Sequence, residues 1–261
     1  MARIDKRATV QRSKRRPRKC GYACGDETRM KIILAALEVF GARGFDGAST
    51  RMVAKKARVN LPALQYYFNG KEGVYLACAD YIAGKVEERL LPAVEGIMHT
   101  LGGEEPSRQW LLDTLLGFLD EFTDLFVGDR ELDRWILFIC REQAQPSKAC
   151  DIIFQRVMSR VARTCTLLVS RLLDLPDGDP RATVRALGLL GQILFFRLAR
   201  EAPLRVLRWK DFEAKHLVVL KSALHEQIAA IFANEPDTAG RKRPARRTTR
   251  AKTFPRQQIP A

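Results

Sequence analysis

Residues 49–73 read STRMVAKKARVNLPALQYYFNGKEG, a run that holds two short helices and a tight turn. Ser49 or Thr50 supplies an N-cap for a helix ending near Ala57, and Asn60 caps a second, with Pro62 tolerated in a first turn that needs no donor. The apolar set Val53, Ala54, Ala57, Val59, Leu64 and Phe68 faces one way, so the pair packs at an angle as a helix-turn-helix. Up to Lys71 every charged residue in the window is basic: Arg51, Lys55, Lys56, Arg58 and Lys71.

Working outward, Met30, Ile33, Leu34, Leu37 and Phe40 recur at steps of three and four, predicting a preceding helix over 27–43 that Gly44 ends. Asn69 and Glu72 stand three apart in the manner of a capping box and open a long helix that Pro92 kinks or terminates. Beyond Gly102, Gly103 and Pro106, helical periodicity predicts segments over 107–127, 129–144, 147–174, 180–200 and 210–233. Nothing alternates with period two, so the expected fold is all-α: a three-helix unit at 26–72 followed by a helical bundle at 73–233.

The formal charge of +15 carries less information than its distribution. Residues 1–25 hold nine Lys and Arg against Asp5, and residues 234–261 hold eight against Glu235 and Asp237, leaving 28 basic and 27 acidic side chains between. Both tails lack apolar periodicity and are expected to be disordered electrostatic arms that attract phosphate without naming a sequence. The local basic bias of the helix-turn-helix, set in a balanced body, is the informative charge. No signal-peptide core and no apolar run of membrane length occurs, so no membrane partner is expected and the location implied is cytoplasmic, on the nucleoid.

The second helix of such a motif enters the major groove, which makes Asn60, Leu61, Pro62, Ala63, Gln65 and Tyr66 its outward readers. Gln65 has the two-sided amide that pairs with an adenine edge, and Pro62 with Ala63 meets a thymine methyl. Tyr67 offers a hydroxyl to phosphate. Lys71 opposes the dipole at a helix start, a placement that a DNA phosphate offsets.

The string from Glu27 through Ala77, with Phe40, Gly44, Ser49-Thr50, Val53-Ala54, Ala57, Tyr66-Tyr67-Phe68, Lys71-Glu72 and Tyr75-Leu76, resembles the N-terminal domain of TetR-family regulators. The resemblance implies a homodimer on double-stranded operator DNA of dyad symmetry, with a small-molecule effector, not identified by the sequence, that drives the two DNA-binding heads apart. It carries phosphate and base contacts onto Thr50, Arg51, Leu61, Pro62, Ala63, Gln65, Tyr66, Tyr67 and Lys71. LQYYFNGKEGVYLACADYI at 64–82 and REQAQPS at 141–147 resemble the subgroup with a CecR-like (YbiH-type) C-terminal domain. Two positions depart from the family pattern: Arg58 occupies a turn position usually held by Gly, and Gln65 stands where Tyr is common.

In the bundle, Leu187, Gly188, Gly191, Leu194 and Phe195 form one stripe and Leu217, Leu220, Leu224 and Ile228 another, which together predict a two-fold four-helix interface; intramolecular core is the alternative for both. Phe118, Phe122, Trp135, Phe138 and Phe154 are candidates for lining an effector pocket, against the plainer reading of core. Arg141, Glu142 and Gln143 are candidates for orienting its polar groups. Cys78, Cys140, Cys150 and Cys165 fall in apolar patterns where a reduced thiol acts as a small hydrophobe, and Cys20 with Cys24 lacks the further ligands a metal site needs. His99, His216 and His225 are isolated, and no nucleophile elbow, phosphate loop or zinc spacing occurs, so neither an enzyme nor a cofactor is expected. The expected function is ligand-released, sequence-specific repression. The alternative is a sequence-tolerant, nucleoid-type DNA-binding protein driven by its tails.

Overall fold

The computed structural model describes residues 22–103 and 105–233, all helical apart from short connections. In chain order the helices are α1 (Tyr22–Gly47), α2 (Thr50–Ala57), α3 (Leu61–Phe68), α4 (Lys71–Gly102), α5 (Arg108–Thr123), α6 (Ile136–Ala144), α7 (Lys148–Ile153), α8 (Ser159–Leu172), α9 (Pro180–Leu198), α10 (Glu201–Leu207) and α11 (Ala214–Ala233). A wider turn (Asp124–Gly128) extends α5, a 3-10 turn (Arg130–Arg134) leads into α6, and another wide turn (Phe154–Met158) joins α7 to α8.

The expected elements are present with adjustments at their ends. α1 begins at Tyr22, five residues before the expected helix start at 27 and inside the stretch expected to be a tail; the rest of that tail and the whole of the second lie outside the described residues. Gly44 takes φ 72° and ψ 177°, so α1 loses helical geometry where glycine was expected to stop it, then resumes for one turn. The expected capping box is absent. Asn69 instead adopts the left-handed conformation that closes α3, with its N–H on the Gln65 carbonyl, and α4 starts at Lys71 behind Gly70, which offers no side-chain cap. Pro92 sits inside α4, which continues to Gly102. Pro203, read as a separator, lies in the first turns of α10, a helix the periodicity did not reveal.

One continuous core runs through both parts of the molecule. Ile33, Leu37 and Phe40 of α1 meet Val53 of α2, Leu64 and Phe68 of α3, and Val74 of α4. α4 then carries Cys78, Ile82, Val86, Leu90 and Val94 into the bundle, where α7 and α8 pack on it. Gly73 is demanded by close approach: a Cβ there would lie 1.7 Å from the Phe68 carbonyl oxygen, so the first turn of α4 rests directly on the end of α3. Beyond α4, α8 packs on α5 and α9, and α11 packs on α5. Among the described residues no single helix is long and apolar enough to cross a membrane, and no cluster of His, Cys, Asp and Glu is placed to hold a metal.

Candidate nucleic-acid interface

The turn between α2 and α3 is built by three local devices. Ser49 accepts from the Met52 N–H at 3.3 Å with extended backbone, and Asn60 Oδ1 accepts from the Ala63 N–H at 2.9 Å. Between them Arg58 takes φ 57° and ψ 41°, while the Val59 N–H returns to the Ala54 carbonyl at 3.0 Å. A non-glycine residue in this conformation costs about 1 kcal/mol, which the surrounding caps and packing offset. With Val53, Ala54, Leu64 and Phe68 buried, the opposite faces of α2 and α3 are left outward by geometry.

That outward surface holds most of the expected contacts. Arg51, Asn60, Leu61, Pro62, Gln65 and Tyr66 are exposed, Tyr66 to 83%, and Thr50, Ala63, Tyr67 and Lys71 are half-buried. Gln65 Nε2 donates to Asn69 Oδ1 at 3.3 Å, which steadies the amide on the face of α3. The Asn60 oxygen is committed to capping, so its outward chemistry is confined to the amide nitrogen. Tyr66 and Tyr67 meet edge to face with centroids 5.2 Å apart, and the Tyr67 hydroxyl lies beside Gly25 of α1. Lys56 is paired with Glu38 of α1 at 2.6 Å, whereas Arg51 and Lys55 stay exposed. Lys71 places its ammonium 4.4 Å above the Phe45 ring and donates to the Asp46 carbonyl at 3.4 Å, so α4 begins tied to the end of α1.

The joint between this unit and the bundle was not legible as such. Arg141 and Glu142, considered for a ligand, form it. Arg141 Nε donates to the Gly41 carbonyl at 2.8 Å and Nη2 to the Ala42 carbonyl at 3.0 Å, covering acceptors at the end of the regular part of α1. Glu142 is buried and accepts from the Tyr75 hydroxyl, the Ser147 N–H and hydroxyl at 3.2 and 2.7 Å, and the Cys150 N–H at 2.9 Å. Burial and the adjacent Glu142 push the Tyr75 phenol well above its ordinary range, keeping it a donor. A cavity of about 580 Å³ opens beside this joint, lined by Gly44, Phe45, Tyr75, Arg141, Glu142 and Lys148 among others. The available signal was a pair of charges ending the otherwise apolar run of α6, 136–140.

The five aromatic pocket candidates are not brought together around a cavity. Phe122, Trp135 and Phe138 are buried core, Phe154 is 57% exposed, and Phe118 alone lines a shallow groove between α4 and α5. Periodicity marks a buried face but does not distinguish a filled interior from a hollow one. The two expected interface stripes also separate. On α9, Leu187, Gly188, Gly191 and Phe195 are exposed, alongside Val184 and Leu198, with Leu194 half-buried. On α11 the expected residues turn inward: Leu220, Leu224 and Ile228 are core, and Leu217 packs on Gly128. The outer apolar face of α11 is Val218, Val219, Ala223, Ala230 and Ile231. Cys78 and Cys165 are buried thiols, Cys165 pushed up to about 12 by burial, and Cys140 and Cys150 are half-buried; Cys20 lies outside the described residues.

Two family models match the chain. "Bacterial regulatory proteins, tetR family" covers residues 32–78, and "HTH-type transcriptional dual regulator CecR, C-terminal domain" covers residues 111–234. The HTH-type transcriptional dual regulator CecR of Shigella flexneri is 31% identical over 208 residues, 80% of this chain and 92% of that protein. The probable HTH-type transcriptional regulator YttP of Bacillus subtilis is 47% identical over 47 residues, 18% of this chain and 23% of that protein. Among solved structures, AibR in complex with isovaleryl coenzyme A and operator DNA aligns with a TM-score of 0.53 at 16% identity, over 78% of this chain and 98% of that one. Bacillus subtilis FadR in complex with stearoyl-CoA aligns at 0.52 and 17%, over 76% and 96%. At those identities the two structures speak for the fold alone. The local basic helix-turn-helix, the bundle behind it and the match along most of a curated relative agree: the chain belongs to the TetR family of DNA-binding transcriptional regulators, a family of non-enzymes, with a CecR-type C-terminal domain.

Proposed function

We propose that the protein is a homodimeric, sequence-specific repressor released from a dyad-symmetric operator by a small-molecule effector. In this reading residues 26–72 bind DNA, residues 73–233 sense the effector and dimerise, and the protein works on the nucleoid in the cytoplasm. The observation that carries it is the outward face of α3: Leu61, Pro62, Gln65 and Tyr66 are exposed together beside Arg51, on a helix held rigidly by its caps. Gln65 and Tyr66 read base edges, and Thr50, Arg51, Tyr67 and Lys71 position phosphates.

The exposed apolar face of α9, with Val184, Leu187, Phe195 and Leu198, supports a two-fold interface that sets two reading helices about 34 Å apart. An effector that favours another separation lowers operator affinity by its differential binding to the two states. AibR and FadR, which share the fold, were solved with acyl-coenzyme A molecules, which supports control by a small molecule.

The test is selection of bound fragments from a random duplex library, followed by Gln65→Ala and Lys71→Ala on the selected site. Gln65→Ala relaxes preference at one or two positions, and Lys71→Ala weakens all sequences alike. Deleting 1–21 and 240–261, which spares the start of α1 at Tyr22, leaves selectivity intact; if it abolishes binding, the tail-driven, sequence-tolerant alternative stands instead. Because the curated relative is named a dual regulator, transcription is scored for both repression and activation.

A further inference from the structure

The cavity of about 580 Å³ beside the joint takes its wall from both units: Gly44 and Phe45 from the end of α1, Tyr75 from α4, and Arg141 and Ala144 from α6. Its volume falls within the roughly 300–1,000 Å³ of small-molecule sites. Part of the wall is apolar: Phe45 keeps 36% of its surface exposed, and its ring meets that of Tyr75 edge to face at 4.9 Å. Arg141 is only partly spent. Its Nε and Nη2 are held by neutral backbone carbonyls, while Nη1 has no hydrogen-bond partner and no carboxylate pairs with the guanidinium among the described residues. Nη1 lies 3.2 Å from where a Cβ on Gly44 would sit, so the glycine leaves that nitrogen uncovered beside the cavity that both residues line. The other charges on the wall are answered. Glu72 pairs with Lys148 at 3.1 Å, Glu142 accepts from four donors, and Asp46 sits beside Lys71, whose ammonium donates to its backbone carbonyl at 3.4 Å.

We propose that this joint cavity is the effector site and takes a small aromatic carboxylate, its ring against Phe45 and an anionic oxygen on Arg141 Nη1. A charge-assisted hydrogen bond to a guanidinium is about twice as strong as a neutral one, so the acid is preferred over an uncharged molecule of the same shape. A ligand seated there touches α1, which carries α2 and α3, and α6, which belongs to the bundle. Filling the space therefore fixes the angle between reading head and bundle, and the affinities for ligand and operator become reciprocally linked. This inference rests on the effector-responsive reading and names the site and the chemical class of the effector.

The test titrates the full chain by calorimetry with 2-naphthoate and with the neutral 2-naphthamide. The acid binds, and the amide binds at least about tenfold more weakly. Arg141→Gln removes the charge and brings the two ligands level, whereas a mere loosening of the joint would weaken both and keep their ratio. Ala144→Trp builds a large ring out from an exposed lining position and abolishes binding of both; should Arg141→Gln fail to fold, this variant decides. Saturating 2-naphthoate lowers the affinity of the wild type for its selected operator at least about fivefold. The proposal is overturned if the acid does not bind, if acid and amide bind alike, if Arg141→Gln keeps their ratio, if Ala144→Trp binds as the wild type does, or if bound acid leaves operator affinity unmoved. Selective DNA binding is scored first on ligand-free protein; its absence sinks the regulator reading, and the titrations still decide whether the cavity is an acid site.

Discussion

Arg141 Nε on α6 donates to the Gly41 carbonyl on α1 at 2.8 Å, joining two residues that lie 100 positions apart. With the second donation to Ala42, one guanidinium ties the helix-turn-helix unit to the bundle through backbone, not through another charge. Arg141→Ala is expected to cost about 1–2 kcal/mol in urea unfolding and to reduce operator affinity, because α1 carries α2 and α3 with it. Arg141→Lys recovers little, since an ammonium cannot span both carbonyls.

Glu142 holds α4, α6 and α7 together as a buried acceptor. Glu142→Ala leaves the Tyr75 hydroxyl and two backbone N–H groups unpaired and is expected to cost about 3 kcal/mol or more in thermal or denaturant unfolding. A loss below about 1 kcal/mol would mean that water replaces the carboxylate without strain.

The raised Tyr75 phenol sets an alkaline limit. The unfolded chain loses this proton near the ordinary value of about 10 while the folded protein retains it, so above that pH the native state binds more protons and stability falls as pH rises. Denaturation followed from pH 8 to 11 should show the decline, and Tyr75→Phe should flatten it while lowering stability at neutral pH.

Two backbone positions separate stability from DNA binding. Arg58→Gly relieves left-handed strain and is expected to raise stability by about 0.5–1 kcal/mol. If Arg58 meets a phosphate, operator affinity falls in the same variant and the salt slope shrinks by about one. Gly73→Ala cannot be accommodated without parting α3 from α4, and a loss of about 3 kcal/mol with loss of selective DNA binding is expected.

The dimer proposal divides α9 from α11. Phe195→Glu changes an exposed ring and should yield a folded monomer by sedimentation, with weaker operator binding. Ile228→Glu places a charge in the core and should unfold the chain instead. A dimeric Phe195→Glu variant would move the interface elsewhere.

The sequence by itself determined the local architecture: the caps at Ser49 and Asn60, the strained Arg58, the outward set on α3 and the all-helical pattern all follow from interactions within about four residues. A 3.6-residue period says that Leu220, Leu224 and Ile228 are buried, yet core and subunit interface present the same stripe, so only tertiary packing decided that they face α5. The same ambiguity left Phe122, Trp135 and Phe138 open between pocket lining and plain core, and the structure packs them as core. Arg141 and Glu142 depended on tertiary structure altogether, because each is defined by partners far away in the chain. For the helix-turn-helix, close-range chemistry sufficed; for the joint and the interior, the partners had to be brought together first.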